Sequence, residues 1–379
     1  MAQSARVPIT NVFMGGDYTG VIHVGPNKTA MNVILDTGSS ALALSGHKYK
    51  PKAGDKTTRL AQTDSYGDGS SWTGAVIQTQ ISLGDGAGTL HLPDGNASIA
   101  YIESSNMFRG ADGILGLAYA KLDDAFTMPK DTWAQKYPSV DVRSGKEGEL
   151  APYLTQLNAS GAAPNIISFL THRSFVRSGH GDGADPANNG VMIVGGGEEA
   201  TDLYSGAFKS VKVLDDAWYS TNLKAVIVGK SDPILGRRQG PKGMPSNSII
   251  DSGTNSLNLS PGVLQAVASK LTPDQRQLLS QSVADSQLVS VDALKLDGWP
   301  TITFVLEGST GDVKLDVAPT DYWQVDTEHV GAALAAITQG DAGFTILGLP
   351  LMNPYFTVFD GEAAAGRGVV KFAAKAVKP

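Results

Sequence analysis

The chain has 379 residues, of which 44 are glycine, 19 are proline and only 18% are charged; this is too long for one small core, and the balance favours many short strands and turns over long helices. Its net charge of −7, without a long run of Lys or Arg, leaves no nucleic-acid footprint. With no cysteine at all, disulfides, thiolate nucleophiles, iron–sulfur clusters and Cys-ligated zinc sites are excluded.

Alternation and short β-branched runs bounded by Gly, Pro, Asn or Asp predict strands at Val21–Val24, Asn32–Leu35, Ala75–Leu83 and Thr89–Leu92. A helix is expected over Glu149–Leu157, with Leu150, Tyr153, Leu154 and Leu157 on its apolar face. The stretch Arg177–Gly190 is dense in turn formers and reads as a flexible surface loop near a lobe boundary, dividing the chain into 1–175 and 176–379. Further on, Pro261–Leu271 and Thr272–Val283 read as helices, the first capped by Ser260 with proline in its first turn. The longest apolar run, Val330–Ile337, is far below a membrane span, and Met1–Pro8 has no apolar signal core, so no membrane partner is expected. The lack of cysteine favours a reducing cytoplasm, with a periplasmic or secreted mature form lacking its signal as the alternative.

Two segments repeat one pattern: Val33-Ile-Leu-Asp36-Thr37-Gly38-Ser39-Ser40 and Ile249-Ile-Asp251-Ser252-Gly253-Thr254. Each is followed downstream by an apolar-apolar-Gly element, Gly113-Ile114-Leu115-Gly116 after the first and Thr345-Ile346-Leu347-Gly348 after the second. An aspartate at the end of an apolar strand loses hydration unless donors replace it. The residues that follow can supply them. Thr37 and Ser252 offer hydroxyls, Gly38 and Gly253 let the backbone turn and present N–H groups, and Ser39 and Thr254 can bond the outer oxygens. Two such carboxyls brought within a few Å share a proton, so that one takes a proton from water while the other gives one to a carbonyl oxygen.

On these residues the chain resembles the pepsin-like aspartic proteases. Asp36-Thr-Gly-Ser-Ser and Asp251-Ser-Gly-Thr match the two active-site loops, Tyr66-Gly67-Asp68-Gly-Ser-Ser-Trp-Thr-Gly resembles the flap hairpin, and the apolar-Gly elements resemble the segments crossing behind each loop. The resemblance spans about Tyr18 to Phe372. It implies a mainly β fold of two lobes related by a pseudo-twofold axis with a few short helices, and Asp36 and Asp251 as the catalytic pair, supported by Thr37, Gly38, Ser39, Ser252, Gly253 and Thr254. Tyr66, Gly67, Asp68 and Ile114 are the expected substrate-binding residues. The implied reaction is endoproteolysis with an acid-side pH optimum and apolar residues flanking the cut bond, on peptide or protein substrates, by a monomer that needs no cofactor or metal and binds statine-type inhibitors.

The chain departs from the pattern at Ala43, where the family usually places a tryptophan that bonds the flap tyrosine. That leaves Trp72 as the candidate substitute, and without support Tyr66 is expected to move freely until a ligand orders it. In lacking cysteine and a recognisable prosegment, the chain is similar to bacterial pepsin homologues. A catalytically silent pepsin-like binding or inhibitor protein is the rival reading. His180-Gly-Asp-Gly-Ala-Asp lacks the ligand order of a calcium loop, Gly195–Gly197 lacks the residues of a phosphate loop, and neither His-Glu-x-x-His nor Gly-x-Ser-x-Gly occurs.

Overall fold

The computed structural model describes residues 3–13, 16–84, 88–128, 142–236, 240 and 244–376. Strand outweighs helix, 43% against 16%, and the helices are short, so the chain has the mainly β character expected of it. It forms two compact units, one made of Met1–Val7, Thr19–Ile166 and Ile193–Gly196, the other of Pro8–Tyr18, Ile167–Met192 and Gly197–Pro379.

In the first unit a long antiparallel meander runs through Lys56–Ser65, Ser71–Leu83 and Leu90–Glu103. These strands outrun the predicted ones because bulges between Thr57 and Ala61 and between Thr79 and Ile81 absorb the breaks in alternation, letting the pairing continue past them. At the base of the hairpin Ala61, Ala75, Phe126, Met128 and Val142 form a buried cluster, in which each large apolar side chain contributes about 1.5–3 kcal/mol by leaving water. Thr29–Asp36 pairs antiparallel with Thr19–Val24 and parallel with Gly113–Gly116. Gly113–Gly116 also pairs antiparallel with Leu42–Ser45. The strand that arrives late in the sequence is thus threaded between the aspartate-bearing strand and its own continuation.

The second unit repeats this device. Thr345–Leu347 lies parallel to Ser248–Ile250 and antiparallel to Leu257–Leu259. Around it are a meander of Tyr204–Lys212, Val369–Lys375 and Tyr355–Asp360, an antiparallel set of Leu223–Val228, Ile302–Glu307 and Asp312–Val317, and an aromatic core with Trp299 packed edge-on to Trp323 at 5.0 Å and Tyr219 to Phe359 at 4.6 Å. Helix Pro273–Asp285 starts at a full capping box between Thr272 and Gln275. Helix Pro261–Ser269 starts after Ser260 as expected, although that hydroxyl makes no capping bond.

Two local expectations are corrected. The helix placed at Glu149–Leu157 begins later, at Tyr153–Ala159, because Pro152 holds an extended backbone and Lys146–Glu149 is drawn into a strand beside Asp124–Thr127. Its inward face is nonetheless Tyr153, Leu154 and Leu157. The segment Arg177–Gly190 is not a loose loop: fully buried Asn188 accepts from the Arg177 N–H at 2.7 Å and donates to the carbonyls of Arg177 and Asp182 at 3.0 and 2.8 Å.

Candidate active site

Asp36 ends its strand and is 5% exposed. Its Oδ1 accepts from the Gly38 N–H at 2.7 Å and its Oδ2 from the Ser39 hydroxyl at 2.5 Å. Asp251 directly follows Ser248–Ile250 and is 6% exposed. Its Oδ1 accepts from the Gly253 N–H at 2.8 Å and its Oδ2 from the Thr254 hydroxyl at 2.6 Å. In both units, then, the residue two positions on serves one carboxylate oxygen and the residue three positions on serves the other. Such short donors replace the lost hydration and fix each carboxyl group's orientation. Thr37 and Ser252 are buried between aspartate and glycine in each loop.

The crossing strands clamp these loops in place. In the first unit the Leu117 N–H donates to the Asp36 carbonyl and the Ala118 N–H to the Ser39 carbonyl, both at 2.8 Å. In the second the Asp251 N–H donates to the Leu347 carbonyl at 3.1 Å and the Leu349 N–H to the Thr254 carbonyl at 2.8 Å. The approach is so close that only glycine fits. A Cβ on Gly116 would lie 2.4 Å from the Ser40 carbonyl carbon, and one on Gly348 would lie 2.1 Å from the Thr254 carbonyl oxygen. The apolar-apolar-Gly element is therefore the contact that holds each aspartate loop. Ile114, on this strand, is buried opposite Ile34 and Ala43.

The Tyr66–Ser70 turn joins strands Lys56–Ser65 and Ser71–Leu83 of the first unit. The Tyr66 N–H donates to the Ser70 carbonyl at 2.9 Å and the Gly69 N–H to the Tyr66 carbonyl at 3.0 Å, with Gly69 at φ +84°. This is a three-residue hairpin loop closed by a left-handed glycine. Gly67 is open around its α-carbon. Asp68 accepts from Ser70 and from Arg109 at 2.7 Å, and these bonds overcome partial burial to pull its carboxyl down to about 2.

Tyr66 is not left without support by Ala43. The Trp72 indole Nε1–H donates to its hydroxyl at 3.1 Å, and Trp72 is 1% exposed. The tryptophan comes from the flap's own return strand. Burial, followed by the charges of Asp64 and Asp36, pushes the Tyr66 hydroxyl well above its ordinary value. Asp64 joins the site without belonging to any of the motifs. The available signal was its position two residues before Tyr66, which puts both on one face of the strand.

A mainly β chain that twice threads a strand between an aspartate-bearing strand and its continuation, and carries a tyrosine hairpin in its first half, has the features of a pepsin-like aspartic protease. The family model for eukaryotic aspartyl proteases matches residues 17–137 and 183–373, more than half of the chain. The chain belongs to that family and is an aspartic endopeptidase. It is 24% identical over 363 residues to pepsin-2B of Gadus morhua, covering 91% of this chain and 93% of that one. It is 22% identical over 372 residues to pepsin A of Sus scrofa (93% and 80% covered) and 25% identical over 382 residues to cathepsin E of Mus musculus (94% and 80% covered).

Proposed function

We propose that Asp36 and Asp251 act as one catalytic pair that hydrolyses peptide bonds through a water molecule. The observation that carries this is the repeated cradle, a glycine N–H on one oxygen and a hydroxyl on the other, built around a buried aspartate in each unit. With one proton between them, the ionised carboxyl takes a proton from water as its oxygen attacks the peptide carbonyl carbon, and the protonated carboxyl gives its proton to the carbonyl oxygen. The C–N bond then breaks as the amine nitrogen takes the proton that the first carboxyl removed from water, and the second carboxyl recovers a proton from a hydroxyl of the tetrahedral carbon as the product acid forms. The singly protonated pair is the working form, so activity traces a bell on the acid side of neutrality whose limbs belong to the pair.

Tyr66 on its hairpin closes over an extended peptide, with open Gly67 and charged Asp68 at the tip as backbone and side-chain contacts. Apolar side chains flank the cut bond, Ile114 helping to line their pockets. The absence of cysteine supports placing the protein with Cys-free bacterial pepsin homologues in a reducing compartment. A silent binding protein drew its support from Ala43, and the Trp72 bond to Tyr66 takes that support away.

The test is digestion of a denatured protein across pH, with and without a statine-type inhibitor, by the wild type and by Asp36→Asn and Asp251→Asn. The wild type should show an inhibitor-sensitive maximum on the acid side, and each variant should lose nearly all turnover while keeping its circular dichroism spectrum. A variant retaining more than a few per cent of activity, or a maximum above about pH 7, overturns the paired mechanism.

A further inference from the structure

The second unit holds a cavity of about 350 Å³ whose apolar lining includes Leu223, Ile234, Leu235, Pro261 and Val263. It lies at the opposite end of the threaded strands from the aspartate. Asn247 and Thr345 line it at the start of the parallel pair Ser248–Ile250 and Thr345–Leu347, whereas Asp251 follows that pair. Asp251 stands four positions on from Asn247, about 13 Å of extended chain, so the cavity is a place of its own. Leu235 is 80% exposed, the most exposed large apolar side chain among the described residues. An apolar ligand in the cavity would cover it.

The polar lining is made of donors that the fold leaves unused. Helix Pro261–Ser269 begins here, and its first bond runs from the Leu264 N–H to the Ser260 carbonyl at 2.9 Å. Pro261 has no N–H, and those of Gly262 and Val263 find no acceptor among the described residues. Such groups are commonly capped by the side chain of the preceding residue. Ser260 holds that place and lines the cavity at 8% exposed, yet its hydroxyl makes no capping bond and has no other partner among the described residues. Helix Pro273–Asp285 shows the contrast, with Thr272 and Gln275 closing a full capping box. A hydroxyl nine-tenths buried without a bond carries a desolvation cost that a ligand oxygen removes. Gly262 has open space where a Cβ would stand, so a ligand can reach its N–H.

We propose that this cavity binds a small monocarboxylate with an apolar tail. The carboxylate takes the Ser260 hydroxyl and the Gly262 and Val263 N–H groups, and the tail lies among Leu223, Ile234, Leu235 and Val263. Three donors in one helical turn, where the helix amides put partial positive charge, select an anion. No charged side chain lines the cavity among the described residues, which favours one negative charge over the two of a phosphate and leaves no like charge to repel it. At roughly 30 Å³ for each water-sized group, the volume holds about eleven non-hydrogen atoms. 3-Phenylpropanoate matches that size and chemistry.

The experiment titrates 3-phenylpropanoate into the full chain at pH 7, where the acid is ionised, and follows the Gly262 and Val263 amides by NMR. Both resonances should move and saturate with a Kd of about 0.1–1 mM. The uncharged, isosteric 3-phenylpropanamide should bind at least about ten-fold more weakly. Ser260→Ala removes a hydroxyl that makes no bond in the fold, so it should melt as the wild type does while binding the acid about ten-fold more weakly. Ser260→Asp introduces a good capping residue, so it should keep the fold, occupy both N–H groups with its own carboxylate and abolish binding. Equal binding of acid and amide, unchanged affinity in Ser260→Ala, saturation that leaves Gly262 and Val263 unmoved, or no saturation by about 10 mM overturns the proposal. The readout needs no turnover, so it decides this site whatever becomes of the protease reading above.

Discussion

Replacing Asp123 with Asn should make the protein more stable at neutral pH and slightly less stable in acid. Asp123 is 3% exposed, its Oδ1 accepts from Gln62 Nε2 at 2.6 Å, and the Gln62 side-chain carbonyl oxygen accepts from the Ser98 hydroxyl at 2.6 Å. Burial, then the neighbouring charges of Asp64 and Asp124, pushes its carboxyl from 3.8 up to about 7 against the pull of Gln62. A folded-state value above the unfolded one means that the folded chain binds the proton more tightly. Below about pH 3.8 both states are protonated and nothing is lost; between there and pH 7 stability falls; above pH 7 the full cost is present. About three units at about 1.4 kcal/mol each give a cost near 4 kcal/mol. Asn keeps the acceptor for Gln62 but buries an amide in place of the second oxygen, at a cost of about 1–2 kcal/mol. The expected net effect is a gain of about 2–3 kcal/mol at pH 7.5 and a loss of about 1–2 kcal/mol at pH 4, read from urea unfolding followed by tryptophan fluorescence at the two pH values. A gain of equal size at both, or a loss at pH 7.5, refutes the reasoning.

The clamping glycines give a second prediction: Gly348→Ala drives a Cβ to 2.1 Å from the Thr254 carbonyl and 2.4 Å from that of Ser256, backbone that can yield only by moving the Asp251 loop. It should destabilise by about 3 kcal/mol or more and lower kcat even in molecules that remain folded, and normal kcat with normal stability would contradict the role assigned to that contact. Ser39→Ala removes the 2.5 Å donor to Asp36 and should lower kcat/KM about ten- to hundred-fold with little change in melting temperature, measured on a peptide at the pH optimum. Trp72→Phe removes the indole donor to Tyr66, so amide exchange across Ser65–Thr73 should quicken without added inhibitor, and unchanged exchange would mean that the bond does not restrain the flap.

Strand content and the repeated aspartate loops could be read from the sequence because both rest on local chemistry. Alternation and turn residues set the strands, and an aspartate followed by hydroxyl, glycine and hydroxyl residues carries its own hydrogen-bond donors within three positions, the bonds that Gly38, Ser39, Gly253 and Thr254 make. Why Gly116 and Gly348 must be glycine was not legible. Each answers to a backbone that meets it only when a strand from far along the chain is threaded into place. The same holds for Arg177–Gly190, whose composition says loop while Asn188, buried among its carbonyls, pins it. Composition likewise left the partner of Tyr66 open. Hairpin register sets Trp72 opposite Asp64 and brings its indole to the hydroxyl, while Asp123 and Asp124 reach Asp64 only because Asp124–Thr127 joins that edge of the sheet. Local pattern is enough to set out the two aspartate loops and their donors; which side chains touch, and which carboxyls lose their water and hold their protons, is decided by long-range pairing and burial, which no local pattern encodes.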